Sequence, residues 1–377
     1  MLALRGYPKP TGGTSAAGVA VDTGVTRLFE PLTLRGTTFK NRAWTSPMCQ
    51  YSAVDGLPND WHLVHLGARA VGGAGLVMTE AAAVSPEGRI SPQDAGIWND
   101  AQTEAWTRIV AFVHAQDALA GVQLAHAGRK ASTYRPFGEG SGTVPEHEGG
   151  WQAVAPSAIA FGRYAVPDAL DAAGIATVVR DFVAGAERAE RAGFDVVELH
   201  AAHGYLLHNF MSPLSNTRTD GYGGSFDNRV RLLLEVTDAV RAVWSQDKPL
   251  FVRISASDWT DGGWSVEDSV ALAPLLAARG TDLIDCSSGG LHHEQQIDVG
   301  PGYQVPFAEA VRATGIPTAA VGLLTEAKQV EDVLVAGQAD AVFLARELLR
   351  DPSWPLRAAT ELGADVTWPK QYERARP

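Results

Sequence analysis

The chain has 377 residues, of which 45% are hydrophobic and 20% charged, a composition typical of a globular protein rather than a disordered or fibrous one. Its formal net charge is -12, and an acidic chain is a poor match for nucleic acid or an anionic lipid surface. Two cysteines, Cys49 and Cys286, are too few for a disulfide framework or a four-cysteine cluster. No run of about 18 apolar residues occurs, so we expect no membrane span and a cytoplasmic location.

Eight short apolar runs alternate with longer segments of helical period, which predicts successive βα units and a parallel sheet. Eight units predict a single-domain TIM (β/α)8 barrel over residues 27–377, preceded by an irregular N-terminal extension at 1–26. An open doubly wound sheet is the alternative, but no G-x-G-x-x-G follows the first run. The eight runs lie at 42–48, 75–80, 120–125, 194–200, 249–255, 281–286, 316–321 and 339–344.

Signals for helix ends support this division. The related phrases "AGFDVVEL", "RGTDLIDC" and "GQADAVFL" each place a glycine just before a run, at Gly193, Gly280 and Gly337, where a preceding helix would stop. Ser225 is expected to cap the helix that follows the fourth run. The phrases form a weak internal repeat, as expected of a barrel of similar units.

Polar residues gather at the carboxyl ends of the predicted strands, the end where barrels of this kind carry their active site. Arg346 follows the last run at the start of a helix, where the helix dipole disfavours a cation. An anion bound between Arg346 and backbone N–H groups near Gly322 would account for this cation, because the last two βα loops form the usual phosphate site of such barrels. A surface salt bridge is the alternative.

Arg253 and Gln123 lie inside otherwise apolar strands. The charge of Arg253 must reach the barrel mouth or pair with Glu80 or Asp285. The Gln123 amide can serve a ring carbonyl or a ring N–H, or it can be a satisfied core amide. Both interpretations stay open for each residue.

The segment "ELHAAHGYLLHNFMSP" (198–213) places three histidines and Tyr205 within nine positions. A zinc site would need further ligands from other strands, and neither H-x-H after the first run nor H-E-x-x-H is present. A glycosidase would need two carboxylates at the mouth, which the seventh strand does not supply. The histidines therefore resemble hydrogen-bond donors. Core packing is the alternative for each one, and the pairing of His200 with His203 favours donors.

At this point the sequence resembles the old yellow enzyme family of FMN-dependent ene-reductases, more specifically its thermophilic-like subclass. The resemblance runs from about residue 27 to 374. It rests on ordered motifs: "SPMCQYS", "TEAAAVSPEGRI", "GVQLAHAGRK", "HAAHGYLLHNFMSPLSNTRTDGYGGSFDNR", "FVRISASD", "DLIDCSSGG", "AVGLLT", "FLARELLRDP" and "QYER".

The resemblance implies that FMN lies on the barrel mouth, its phosphate held by Arg346 and nearby backbone, and its ring beside Cys49 and Gln123. Arg253 would stabilise the negative charge of the reduced flavin. The implied cofactor-binding residues are Ser46, Pro47, Met48, Cys49, Ala81, Gln123, Arg253, Val321, Gly322, Ala345 and Arg346.

The implied reaction is ping-pong: NADPH reduces FMN, and hydride then passes to the β-carbon of an activated alkene such as an α,β-unsaturated carbonyl, a maleimide or a nitroalkene. His200 and His203 would bind the substrate oxygen, Tyr205 would protonate the α-carbon, and Tyr51 would line the substrate site. His208 has no role in this pattern and is left structural. No metal is expected. The alternative function is a flavin-binding redox sensor that uses Cys49. An iron-sulfur relative of the family is disfavoured by the two cysteines.

The resemblance also implies a homodimer or homotetramer, in which Arg374 reaches the neighbouring subunit's active site. A solvated tail arginine is the alternative. Three features depart from the pattern: the N-terminal extension, a long loop at 137–150, and Ala345 where a glycine is common.

Overall fold

The computed structural model describes residues 26–138 and 140–377. Eight parallel strands close into a barrel in chain order, and the last strand pairs with the first. The predicted single-domain (β/α)8 barrel is confirmed. The strands are β1 (Leu32–Leu34), β2 (Thr37–Phe39), β3 (Ala43–Thr45), β4 (Leu76–Ala83), β5 (Leu119–Ala125), β6 (Val154–Ala155), β7 (Asp168–Ala169), β8 (Val196–Ala201), β9 (Leu250–Ser255), β10 (Leu283–Ser287), β11 (Thr318–Ala320) and β12 (Ala341–Leu344). The barrel consists of β3 to β5 and β8 to β12.

Helices alternate with the barrel strands. They are α1 (Asp60–Val71), α2 (Asp100–His114), α3 (Ala172–Ala192), α4 (Leu206–Met211), α5 (Phe226–Val243), α6 (Val266–Ala277), α7 (Val305–Arg312), α8 (Ala327–Val335), α9 (Arg346–Arg350) and α10 (Trp354–Leu362). Short 3-10 helices occupy Arg27–Phe29, Pro86–Gly88, Gly128–Lys130, Glu146–Glu148 and Lys370–Ala375.

Each predicted strand run overlaps one barrel strand, because a strand buried on both faces leaves a short continuous apolar run in the sequence. The first run is trimmed to Ala43–Thr45, shortly before Pro47, which has no N–H for a strand ladder. The second extends to Ala83, and its register with β5 shifts between Met78 and Ala81. This irregularity re-aims the side chains that follow it.

The predicted helix ends are also confirmed. Gly193, Gly280 and Gly337 have φ of 89°, 83° and 69°, the left-handed region that a glycine adopts at little cost. The Ser225 side chain accepts a hydrogen bond from the Asn228 amide at the start of α5. These glycines lie between the ends of α3, α6 and α8 and the strands β8, β10 and β12 that follow, and they keep the connections short.

The amino end of the barrel is filled with aromatic side chains. Trp44 lies 4.6 Å from Phe39, 5.8 Å from Phe251 and 5.5 Å from Phe343 between ring centroids. Phe39 comes from the β1–β2 hairpin, which precedes the barrel. With this end closed by packing, the carboxyl ends of the strands form the accessible mouth.

Residues 1–25 lie outside the described residues, so the predicted extension stays a prediction. In the long loop at 137–150, Thr143 forms an isolated β-bridge with Thr133, which precedes the loop. Glu146–Glu148 form a 3-10 helix in the same loop. Within residues 26–138 and 140–377, no helix has the length and apolar character needed to cross a bilayer.

Candidate active site

The segment that leaves β3 forms one wall of the mouth. Residues 46–49, predicted to meet the flavin, follow the strand directly, and the Ser46 amide donates to the Leu344 carbonyl at 3.0 Å. The backbone N–H of Gln50 donates to Glu80 Oε2 at 2.9 Å. Glu80 Oε1 lies 2.9 Å from His62 Nε2, and both side chains are buried. A buried carboxylate thus fixes the path of this segment.

Residues from distant parts of the sequence meet at this wall. Cys49, Tyr51 and Tyr205 all pack against one small buried cluster formed by Ile90, Ala127, Ala131 and Ala153. Tyr51 has a φ of 50°, and its ring meets Phe137 edge-on at 6.1 Å. The structure therefore brings the predicted substrate-side tyrosine and the predicted acid to the same side of the mouth.

Cys49 lies in an acidic, desolvated environment. Burial raises the pKa of its thiol well above the usual range, and the carboxylates of Asp94 and Glu80 raise it further. The pKa of Asp94 is itself raised to about 7 by burial and by Glu80. A thiol in such surroundings stays protonated at neutral pH, and the thiol is far less reactive than the thiolate.

The two predicted donor histidines are neighbours with perpendicular rings, 5.2 Å apart between centroids. His200 is buried and its Nδ1 accepts the Ala202 amide at 3.3 Å, so its single proton is on Nε2 and is free to be donated. Burial first, and then the cation of Arg253, lower the pKa of both rings well below 6.5. Both are therefore neutral donors at physiological pH.

His203 is oriented by Ser287 at the end of β10. Its Nε2 lies 2.7 Å from Ser287 Oγ, whereas that hydroxyl lies 3.4 Å from Gln304 Oε1. Gln304 Oε1 already receives a 2.6 Å hydrogen bond from Ser288. The Ser287 proton thus goes to His203, which leaves Nδ1 as the protonated nitrogen of that ring.

Tyr205 stands at the start of α4, and its ring meets His200 edge-on at 4.9 Å. Its backbone N–H donates to the Ala202 carbonyl at 3.1 Å, and its backbone carbonyl accepts a hydrogen bond from the backbone N–H of Asn209 at 2.7 Å. Burial raises the pKa of the phenol well above 10, with smaller contributions from Cys49 and Tyr51. The phenol therefore holds its proton at neutral pH.

Lys130 crosses the mouth beside Tyr205. Its Nζ donates to the carbonyls of His203 at 2.9 Å and Gly290 at 2.5 Å, joining the loops that follow β8 and β10. The ammonium also lies 4.2 Å from the Phe161 ring centroid and 5.6 Å from that of Tyr205. Burial, reinforced by Arg129, lowers its pKa to about 7.

Below the histidines, four polar side chains are held inside the barrel by strand register. Gln123 pairs with Glu198 across β5 and β8, and Arg253 pairs with Asp285 across β9 and β10. Gln123 Nε2 donates to Glu198 Oε1 at 2.8 Å, and Arg253 Nε lies 2.9 Å from Asp285 Oδ2. Both of the alternatives left open for Arg253 thus hold together, because it is ion-paired and also near the mouth.

A cavity of about 160 Å³ lies at the ends of β11 and β12. Its lining includes Val321, Gly322, Ala345 and Arg346, as predicted for the phosphate, and also Tyr303 and Arg350. Arg346 is exposed, and within residues 26–138 and 140–377 it forms no ion pair. Its guanidinium is available to an anion.

Arg374 is the predicted site residue that the structure does not bring to this mouth. Tail residues 365–371 share a groove of about 530 Å³ with Asn41, Gly73 and Gln116, which precede barrel strands at their amino ends. Arg374 follows in an exposed 3-10 helix. Its predicted role in a neighbouring subunit stays a prediction.

Glu198 and Asp94 are buried acids at the site that the sequence interpretation missed. A signal for Glu198 was present: it is the one charged residue in the buried strand, and it precedes His200 by two positions, so both point to the same side of the strand. Asp94 lies in a loop without strand or helix period, and no comparable signal marked it.

The fold and its mouth are those of a TIM-barrel enzyme, with an exposed arginine beside a cavity at the ends of the last two strands. The comparisons with known proteins are more specific. The chain matches the NADH:flavin oxidoreductase / NADH oxidase family over residues 27–365. It is 50% identical to the NADPH dehydrogenase of Geobacillus thermodenitrificans over 353 residues, 93% of this chain and 98% of that one.

Solved structures agree. Morphinone reductase is similar with a TM-score of 0.75 and 30% identity, covering 93% of this chain and 93% of that one. The old yellow enzyme homologue from Zymomonas mobilis is similar with a TM-score of 0.73 and 28% identity, over 93% of this chain and 99% of that one.

The chain therefore belongs to the NADH:flavin oxidoreductase / NADH oxidase family, and the predicted relation to the old yellow enzymes is confirmed. It is an oxidoreductase. The predicted cofactors, FMN with NADPH as reductant, agree with the family and with the curated relatives.

The described residues fit FMN. Ser46 Oγ is buried with no partner among them, and Gln123, whose N–H is taken by Glu198, keeps its carbonyl oxygen for a ring N–H. Gly322 has a φ of 119°, and a Cβ there would lie 2.8 Å from Gln304 Nε2. A side chain at this position would therefore be strained and would press on Gln304, so the strand end favours glycine.

Proposed function

We propose that this protein is an FMN-dependent ene-reductase that uses NADPH to reduce the C=C bond of an activated alkene: an α,β-unsaturated carbonyl, a maleimide or a nitroalkene. The observation that carries the proposal is the grouping of two neutral imidazole donors and one protonated phenol above the interior arginine. The His203 and Tyr205 ring centroids lie 5.2 Å and 4.9 Å from that of His200. FMN, when bound, supplies hydride to the β-carbon.

The chain's own residues supply the rest of the chemistry. His200 and His203 donate to the oxygen of the carbonyl or nitro group and stabilise the negative charge that builds there, a contribution of about 10² to 10³ in rate per donor. Tyr205 protonates the α-carbon from its phenol, for which general-acid catalysis typically gives about 10² to 10⁴. Tyr51 and Phe137 line the approach.

The ten cofactor residues other than Arg253 that were predicted at the mouth would surround the flavin ring and its phosphate, and Arg253 would face the pyrimidine edge. The nicotinamide and the alkene would use one stacking surface in turn. A cytoplasmic location and a homodimer or homotetramer are part of the same proposal.

The visible spectrum of the purified protein tests this function. We expect a flavin spectrum that bleaches with NADPH under anaerobic conditions and returns when cyclohexenone is added. A colourless protein that takes up no FMN on reconstitution would exclude the proposal. A spectrum that bleaches but does not recover would exclude the alkene as oxidant.

The redox sensor is the second candidate, and the Cys49 environment disfavours it because a protonated thiol is slow to oxidise. The Cys49→Ala variant separates the two functions. A reductase keeps cyclohexenone turnover with altered kinetics, whereas a sensor loses its response to peroxide and its turnover is incidental.

A further inference from the structure

Glu198 is buried directly beneath the predicted flavin site and does not act in the reaction proposed above. Its side chain is fully buried, one oxygen accepts from Gln123 Nε2 at 2.8 Å, and the other, Oε2, has no partner among the described residues. A buried carboxylate with an unpaired oxygen is costly to keep ionised. A neutral acid at this position would avoid that cost.

The charges that face Glu198 do not balance a second anion. Among the described residues, Arg253 on β9 is the cation that acts on Glu198, and Oδ2 of Asp285 on β10 lies 2.9 Å from its Nε. The polar side chains of β5 and β8 that accompany them are those of Gln123 and His200. If Glu198 and Asp285 were both ionised, the group would carry one net negative charge in the barrel interior.

We propose that Glu198 is a positioning residue that holds a proton in the resting holoenzyme. Arg253 is then paired with one carboxylate, that of Asp285, and its positive charge stays available to stabilise the reduced flavin. The carbonyl oxygen of the protonated Glu198 accepts from Gln123, which fixes the amide with its own oxygen toward the ring N–H. The inference rests on the flavin site of the proposed function but not on its alkene.

The direction of the titration agrees with this geometry. Burial, and then the carboxylate of Asp285, raise the pKa of Glu198 to about 8, against the opposing effect of Arg253. Glu198 is therefore protonated at pH 7 and ionised at pH 9. An added negative charge on the flavin raises its pKa further, because like charges disfavour ionisation.

The consequence is a proton count. Below pH 8, two electrons and one proton reduce FMN to its anion, and Glu198 keeps the proton it already has. At pH 9, the same two electrons bring one proton to the flavin and one more to Glu198, which returns to the acid. The parent protein thus takes up one additional proton per two electrons above pH 8.

The test is an anaerobic redox titration of the FMN-bound protein with dithionite from pH 6 to 10, on the parent and on Glu198→Gln, a neutral isostere. At pH 6.5 we expect the two midpoint potentials to agree, because both side chains are uncharged. Above pH 8 the midpoint potential of the parent should fall more steeply with pH than that of Glu198→Gln. Equal slopes, or a large offset at pH 6.5, would overturn the proposal.

A matched control is Glu190→Gln in the last turn of α3, at the amino end of β8, where Glu190 pairs with Lys248 at the surface. This variant should keep the slope of the parent, and a changed slope would show that any lost carboxylate alters the titration and would overturn the assignment. Dithionite needs neither NADPH nor alkene, so failure of the proposed reductase function would leave this result intact. Absence of bound FMN would be evident from the spectrum.

An infrared measurement on the parent covers the case in which Glu198→Gln does not fold. Reduction at pH 9 should produce a new protonated-carboxyl carbonyl band. No band at pH 9 would overturn the proposal.

Discussion

Tyr205 is placed by its backbone and not by its hydroxyl. Hydrogen bonds to Ala202 and from Asn209 fix its main chain at the start of α4, and the edge of the His200 ring fixes its side chain. Removal of the hydroxyl should therefore leave the geometry of the mouth unchanged. This makes Tyr205→Phe a clean probe of proton donation.

For Tyr205→Phe we expect reoxidation of the reduced flavin by cyclohexenone to slow by about 10² or more, while reduction by NADPH changes little, because only the second half-reaction consumes the proton. Stopped-flow absorbance of each half-reaction measures both rates. Tyr222→Phe, which removes a hydroxyl bonded to Glu235, is the control. Equal reoxidation rates for the Tyr205→Phe variant and the parent would contradict the assignment.

Lys130 is the cation at the mouth expected to titrate near neutrality, because burial lowers its pKa to about 7, whereas burial and nearby cations drive the pKa values of His200 and His203 well below 6.5. Below pH 7 its cation favours negative charge on the nearby phenol and helps Tyr205 to release its proton. Above pH 7 that help is lost. The cyclohexenone half-reaction should slow as pH rises through 7.

Lys130→Met should remove this inflection, and stopped-flow reoxidation rates between pH 5.5 and 9 would show it. Loss of the two hydrogen bonds to the His203 and Gly290 carbonyls will lower the overall rate, so the shape of the profile and not its height is the relevant readout. A variant that kept the inflection would place the titrating group elsewhere.

The sequence could identify Arg253 as a site residue because a polar side chain within an apolar strand must find a partner or reach the mouth. His200 and His203 stood out by their pairing at the end of the fourth predicted strand. Their roles were less accessible. Which nitrogen of His203 carries the proton depends on Ser287, which lies 84 positions away. The ion pair of Arg253 with Asp285 depends on register across β9 and β10, which no local pattern in either strand encodes.

Among the elements, α4 is the one that positions the site, and a buried pair anchors it. His208 Nδ1 accepts the Gly204 amide at 3.0 Å, and Nε2 lies 2.9 Å from Asp258 Oδ1, with both side chains fully buried. Burial alone would raise the pKa of Asp258, but His208 and the hydroxyl of Ser212 hold it below its usual range. The structural role expected for His208 is therefore to pair with the buried carboxylate of Asp258.

His208→Phe should lower the free energy of unfolding at pH 7 by about 3–5 kcal/mol, since it leaves a buried carboxylate without its partner. Urea unfolding measures this loss. A carboxyl with a depressed folded pKa contributes stability above its unfolded pKa and loses it as pH falls, so the difference from the parent should narrow below about pH 4. A difference independent of pH would show that packing alone accounts for the loss.

His114→Phe is the matched control, because His114 lies 2.7 Å from Asp195 in a partly exposed pair. Exposed pairs contribute about 0–1 kcal/mol, so this variant should cost far less than His208→Phe. An equal cost would indicate that the loss does not come from burial of the charge.

The strands and the ends of the helices could be predicted because burial and left-handed glycines leave local signals. The register shift in β4 between Met78 and Ala81 could not, because it depends on pairing with β5. The hairpin that closes the amino end of the barrel was not predicted either. Its two strands have three residues each, too few for a pattern to emerge.

In the molecule as a whole, the C-terminal tail and the candidate active site lie at opposite ends of the barrel. Tail residues 365–371 lie in the groove at the amino ends of three barrel strands, and the three residues from 371 to 374 span at most about 11 Å. Arg374 therefore stays at the end of the barrel opposite to its own mouth. A role in catalysis requires a second copy of the chain.

For Arg374→Ala we expect the KM for cyclohexenone or NADPH to rise by roughly tenfold, the loss of one hydrogen bond to a charged group, with kcat less affected. This outcome requires that light scattering shows a dimer or tetramer. Arg376→Ala is the control, because Arg376 pairs with Asp365 within the same tail and should leave KM unchanged. A monomeric parent, or equal effects of both substitutions, would assign Arg374 to the solvated surface.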